Sequence, residues 1–219
     1  MGRRSNPTRR WWKNGTVTVV LLAVWVPVAS AHIQVVHGRL VDAIQQSDLV
    51  LIGTIEDTKP LTTRSSESTI VVDRVVLGHI TVSRLRVRGA NRLVPGQRHA
   101  LFLRRHGDTL HSVAPSGTLF PASPQDDETY RHAVETIHQA LGADASTRIF
   151  ALRSALIPVL SAPVSPLRYY AALDLISVDH GEHGLRADER AALQRLLSDP
   201  STDPTLRPLL AGYLATTLR

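Results

Sequence analysis

No cysteine occurs among the 219 residues. Its absence excludes a disulfide framework, a thiol nucleophile and any zinc or iron–sulfur site built on thiolates. Complete catalytic signatures are missing as well: there is no Gly-x-Ser-x-Gly, no Ser-x-x-Lys, no glycine loop that would cradle phosphate and no His-Glu-x-x-His. Aromatic residues are scarce, and between His32 and Phe120 only Phe102 and Phe120 occur. A groove for single-stranded nucleic acid interleaves cations with stacking platforms, so nucleic acid is not an expected partner. The longest apolar run, Thr16 to Val28, is 13 residues and carries Pro27. A membrane-spanning helix needs about 20.

That short run lies inside a leader. Arg3, Arg4, Arg9, Arg10 and Lys13 precede it with no acid among them, and Ala29-Ser30-Ala31 closes it. A cationic start, an apolar centre and small residues at the end make a secretory signal over 1–31, with cleavage after Ala31 expected and retention as an uncleaved anchor the alternative. The stretch Thr8-Arg9-Arg10-Trp11-Trp12 also suits a twin-arginine signal, so both export routes remain open. The expected location is extracytoplasmic, periplasmic or secreted, with no stable membrane span once the leader is removed.

Removing the leader also changes the charge. Five of the 25 basic residues and none of the 19 acidic ones go with it, and the net charge falls from +6 to +1. The pI near 10.4 therefore belongs largely to the leader, and no generalised basic footprint remains.

The remaining chain divides at "FPASPQDDE". Before it the pattern is short and β-like, with 11 basic and 7 acidic residues; after it the pattern is helical, with 9 and 12. Two domains are expected, 32–121 and 122–219. In the first, "GRLVDAIQQS" has helical spacing for about two turns. The stretches "SDLVLIGTIED", "STIVVDRVVLG", "ITVSRLRVRG", "GQRHALFLRR" and "DTLHSVAP" read as strands, with Gly53 as a bulge or close-approach point. In "ITVSRLRVRG" the alternation puts Arg84, Arg86 and Arg88 on one face and Leu85 and Val87 on the other. Five strands in so short a span predict a small antiparallel barrel.

The stretches "AIQQSDLVLIGTIED", "STIVVDRVVLG" and "LVPGQRHALFLRR" together resemble the netrin-like domain family, over roughly residues 37–116. The resemblance implies an OB-type barrel, as in tissue inhibitors of metalloproteinases and many bacterial secreted proteins. Those animal inhibitors chelate zinc through an N-terminal cysteine. This chain has none, so protease inhibition does not carry over.

The second domain opens at Ser123-Pro124, an N-cap with proline at the first helical position. Tyr130, Val134, Ile137 and Leu141 then line one face until Gly142. An internal repeat follows: "ALIPVLSAPVSPLRYYAALDL" aligns with "ALQRLLSDPSTDPTLRPLLAGYL", pairing Leu156 with Leu193 and Leu167-Arg168 with Leu206-Arg207. A period near 40 built on paired helices resembles HEAT-type repeats. The expected class is thus α+β, a small five-stranded antiparallel OB-like barrel followed by an all-α domain of HEAT-like helical hairpins.

Candidate site residues follow from charge and ligand chemistry. Arg84, Arg86 and Arg88, extended by Arg98, Arg104 and Arg105, form a basic stripe suited to a protein or an anionic envelope component. The competing reading is copper or zinc binding. Cleavage would make His32 the amino terminus, offering an amine and an imidazole, and "DHGEH" gathers His180 and His183 with two carboxylates. Glu135-x-x-His138 has di-iron spacing but lacks the second pair and the two further glutamates that such a site needs. The expected activity is therefore non-enzymatic binding or scaffolding, without a cofactor.

Overall fold

Residues 39–89, 93–113, 120–179 and 183–217 are described by a computed structural model of the chain. The first helix, α1 (Leu40–Gln46), buries Leu40, Val41, Ala43 and Ile44. Five strands follow it: β1 (Leu49–Pro60), β2 (Ser66–Leu77), β3 (Arg84–Gly89), β4 (Arg98–His106) and β5 (Thr109–Ser112). They are ordered β1-β2-β3-β5-β4, and a further pairing of β1 with β4 closes the ring. A two-residue strand, β6 (Phe120–Pro121), pairs with the start of β4. The strand order and closure are those of an OB-like barrel.

One feature departs from the expected antiparallel barrel. β3 and β5 run parallel, through Val87↔Leu110 and Arg88↔His111. Parity requires this, because strand direction cannot alternate all the way round a closed ring of five. One neighbouring pair must be parallel, and it falls on the shortest ladder.

Hydrophobic pattern follows how many faces of each strand are covered. Leu49, Leu51 and Ile55 of β1, Leu101 and Leu103 of β4, Ile70 of β2, and Leu85 and Val87 of β3 fill the barrel interior. Val50 and Ile52 of β1, with Ala100 and Phe102 of β4, point the other way into a second core formed with the helices. Both faces of β1 and β4 are therefore dry, which is why "LVLI" and "ALFL" are continuous apolar runs. β3 has only its inner face covered and alternates strictly, with exposed arginines outside.

Gly53 serves as both a bulge and a close approach. The β1–β2 register shifts between Ile52 and Gly53, and a Cβ at Gly53 would lie 2.6 Å from both Ile70 Cγ2 and the Val71 carbonyl oxygen.

The helical part begins as its sequence suggests. The Ser123 N–H and hydroxyl both donate to Asp126, at 2.9 and 2.6 Å, closing a capping box around a 3-10 turn at Pro124–Asp126. α2 (Asp127–Leu141) continues it, burying Tyr130, Ala133, Val134, Ile137 and Ala140. The Tyr130 hydroxyl donates to the Pro121 carbonyl at 2.8 Å and anchors α2 to the end of the barrel. Two hairpins follow, α3 (Arg148–Val159) with α4 (Ser165–Asp179), and α5 (Ala187–Ser198) with α6 (Leu206–Thr216). α3 packs on α5 and α4 on α6, so the second hairpin stacks on the first. The aligned leucines Leu156 and Leu193, and Leu167 and Leu206, are all buried. Among the described residues, no helix is long and apolar enough to cross a membrane.

Candidate functional site

The outer face of β3 places Arg84, Arg86 and Arg88 side by side in the exposed positions of its alternation. β2 runs antiparallel beside β3, with Val71↔Arg84, Thr69↔Arg86 and Glu67↔Arg88 in register. Acidic neighbours engage two of the three. Arg88 Nε donates to Glu67 at 3.0 Å, and Arg84 lies 2.9 Å from Glu56 on β1. Arg86 faces Thr69, and among the described residues its guanidinium has no acidic or hydrogen-bonding partner.

The row continues across the closing seam. Arg88 is level with His111 of β5, and His111 with Arg104 of β4, while the rings of His106 and His111 meet edge-on at 5.9 Å. Asp48 accepts the backbone N–H of Arg105 at 2.8 Å. The Arg105 side chain, like that of Arg104, makes no ion pair among the described residues.

A cleft of about 580 Å³ opens where β3, the β2–β3 connection and the β4–β5 hairpin converge, within the usual size of a ligand site. Four guanidinium groups, from Arg84, Arg86, Arg88 and Arg105, border it against the carboxylates of Glu67 and Asp108. Ile80, Val82, Leu85 and Leu110 supply apolar walls. His79 and Thr81 also border it. They were not legible as site residues, since only the closure of the barrel brings the β2–β3 connection beside the hairpin.

Arg98, expected to extend the stripe, does not face solvent freely. Its guanidinium forms a two-pronged pair with Asp127 at 2.7 and 2.9 Å and donates to Asp73 at 2.7 Å. Hydrogen bonds to Asp127, opposed by partial burial and reinforced by Asp73, hold its pKa above the usual arginine value. It joins the barrel to α2. Arg74 does the same through Glu128, at 2.6 Å.

His32 and His180, two of the three residues named as metal ligands, lie outside the described residues. His183 is described, and its Nδ1 is 3.0 Å from Asp179 Oδ1. That carboxylate also accepts from Arg153 at 2.8 Å and from the Tyr213 hydroxyl at 3.0 Å. Arg153 is fully buried and lies 3.0 Å from Glu189 as well. Burial alone would push the Asp179 carboxyl up, but hydrogen bonds from Arg153, His183 and Tyr213 outweigh it and hold its pKa below the ordinary value. Arg153, Asp179, Glu189 and Tyr213 thus join α3, α4, α5 and α6, and His183 attaches to that network through Nδ1. Glu135 pairs with Arg131 at 2.6 Å. Among the described residues, no three His, Asp or Glu side chains gather as metal ligands would.

No protein-family model matches the chain, and no curated protein is similar to it.

Proposed function

We propose that the protein is an exported, non-enzymatic binding module that recognises an acidic partner through the arginine face of its barrel. In this reading the barrel is of the netrin-like type and the stacked hairpins are HEAT-like, the first carrying the recognition surface and the second a scaffold. The leader supports an extracytoplasmic location. The observation that carries the proposal is the cleft at β3, where four guanidinium groups outnumber two carboxylates and, among the described residues, neither Arg86 nor the Arg105 side chain has an acidic partner. Unpaired, preorganised guanidinium groups favour carboxylate or phosphate partners and speed their encounter.

The test compares the wild-type chain with an Arg84→Ala, Arg86→Ala, Arg88→Ala variant in crosslinked capture from the extracytoplasmic fraction at low and high salt. A specific partner that is retained at low salt by the wild type and lost by the variant, with unchanged thermal unfolding of the variant, is the expected result. Capture that is equal for the two chains at low salt would exclude the arginine face as the recognition surface.

A further inference from the structure

The β3–β5 ladder is two residues long, Val87↔Leu110 and Arg88↔His111. Toward the start of β3, Arg84, Leu85 and Arg86 pair with β2 on one side and, among the described residues, have no strand partner on the other. The cleft occupies this gap. A cleft lying on the face of a sheet would be bordered by alternate residues of a strand, because successive side chains point to opposite faces. Here consecutive residues border it, Arg84-Leu85-Arg86 from β3 and Asp108-Thr109-Leu110 from the hairpin. The opening therefore lies against a strand edge, where backbone N–H and C=O groups are offered along with side chains.

We infer that this open seam is a docking site for an extended acidic peptide segment of another protein, which adds as a short strand to the free edge of β3 and sets its carboxylates against the outward guanidinium groups of Arg84 and Arg86. The inference rests on the proposed arginine-face reading and names its partner's chemistry. Strand addition draws affinity from main-chain hydrogen bonds and specificity from alternate side chains. The free edge supplies the first. The guanidinium groups and the apolar side chains of Leu85 and Leu110 supply the second, suiting a segment that alternates acidic and apolar residues.

Charge also decides between occupants. A second copy of the same edge would set arginine against arginine. The chain's own first 38 residues contain no acid, so they do not complement the seam. A second exposed edge, at the far end of β1, carries Asp57, Lys59 and Pro60. Charges and a proline are the usual obstacles to strand addition.

The test uses the full chain and fluorescence anisotropy with a fluorescein-labelled heptapeptide of alternating glutamate and valine. Two further peptides carry N-methyl groups on one or the other set of alternate backbone nitrogens, and a lysine–valine heptapeptide controls for charge. We expect saturable binding of the acidic peptide and none of the lysine peptide. Arg84→Glu with Arg86→Glu should weaken binding at least tenfold at unchanged thermal unfolding, and one of the two N-methyl sets should weaken it comparably. If neither N-methyl set differs from the parent, or if sulfated dextran displaces the label while both sets still bind, the site reads charge alone and strand addition is overturned. Absence of acidic-peptide binding at low salt overturns the inference too. Should partner capture still depend on Arg84, Arg86 and Arg88 in that case, the proposed function stands without it.

Discussion

Asp174 of α4 accepts the backbone N–H of Val41 at 2.8 Å, across 133 residues of sequence. It thereby caps α1, a helix to which it does not belong. α1 has no side-chain cap of its own, since its N-cap position is Arg39, and the first N–H groups of a helix lack intrahelical partners. The barrel's opening helix is therefore tied to the first helical hairpin by a fully buried carboxylate.

That burial makes the contact pH-dependent. Desolvation, partly offset by the Val41 N–H and augmented by nearby Asp42, pushes the Asp174 carboxyl up to about 7 from 3.8. The folded chain thus holds a proton that the unfolded chain releases across this window. Its stabilising effect is complete below the unfolded pKa and is lost as pH rises through the folded one. Asp174→Asn keeps an oxygen acceptor for Val41 and removes the titration. Urea unfolding at pH 4.5, 6 and 8 should show the wild type losing stability relative to this variant as pH rises, with little further change above about 8. Parallel curves for the two proteins would contradict the buried-carboxyl account. Asp174→Ala, which removes the acceptor, should cost about 0.5–2 kcal/mol at low pH, as lost caps do.

Which parts were legible in sequence follows from the range of the interactions. The alternation of Arg84 to Arg88 reports one dry and one wet face locally, and it placed the arginine face correctly. Strands β1 to β5 and the start of α2 at Ser123-Pro124 were readable for the same reason. The parallel closing seam was not, because β3 and β5 meet only after β4 has crossed the barrel. Nor was the loss of Arg98 from the stripe, since Asp127 lies in the helix beyond. A signal for the buried charges did exist: Arg153 in "ALRSALIPVL" and Asp174 in "YYAALDLISV" stand alone in apolar helical stretches, where an unpaired charge would be costly.

Arg153 shows what that cost is. It touches Asp179, Glu189 and the carbonyls of His183 and Gly184, and its ring neighbour Phe150 lies 5.1 Å from the guanidinium carbon. Arg153→Met leaves two buried carboxylates without their cation, and removing one partner of a buried pair costs about 3–5 kcal/mol. Set against a typical domain stability of about 5–15 kcal/mol, this is a large loss. Arg153→Lys keeps the charge but not the several directed donors, and should fall between. The urea midpoints should rank wild type, Lys, Met; a Met variant as stable as wild type would refute the structural role.

The Arg98–Asp127 pair should be measurable as a coupling. Both side chains are 18% exposed, so solvent screens them less than a typical surface pair, and the two-pronged geometry is the strong form of the interaction. Arg98→Ala, Asp127→Ala and the double variant should give an interaction energy of about 1–2 kcal/mol in a double-mutant cycle. High salt should erode only part of it. A coupling indistinguishable from zero would mean that α2 is held to the barrel by Tyr130, the Arg74–Glu128 pair and apolar packing without help from Arg98.

Gly53 links the barrel's packing to its binding face. A Cβ there meets Ile70 Cγ2 and the Val71 carbonyl oxygen, each at 2.6 Å. The side chain can turn aside, but the carbonyl belongs to the β1–β2 ladder and cannot retreat without disturbing it. Overpacking of this kind costs about 1–3 kcal/mol, so Gly53→Ala should lower the unfolding temperature and Gly53→Val should lower it further. Ile70→Ala empties a fully buried core position but relieves the softer of the two clashes, so it should destabilise Gly53→Ala by less than it destabilises the wild type. Val71 pairs directly with Arg84, and Ile70 with Leu85. Displacing β2 at these residues therefore shifts β3 at the mouth of the cleft. In Gly53→Ala, binding of the acidic heptapeptide should fall even at temperatures where the chain remains folded. A variant that melts earlier yet binds as the wild type does would show that β3 keeps its place independently of β2.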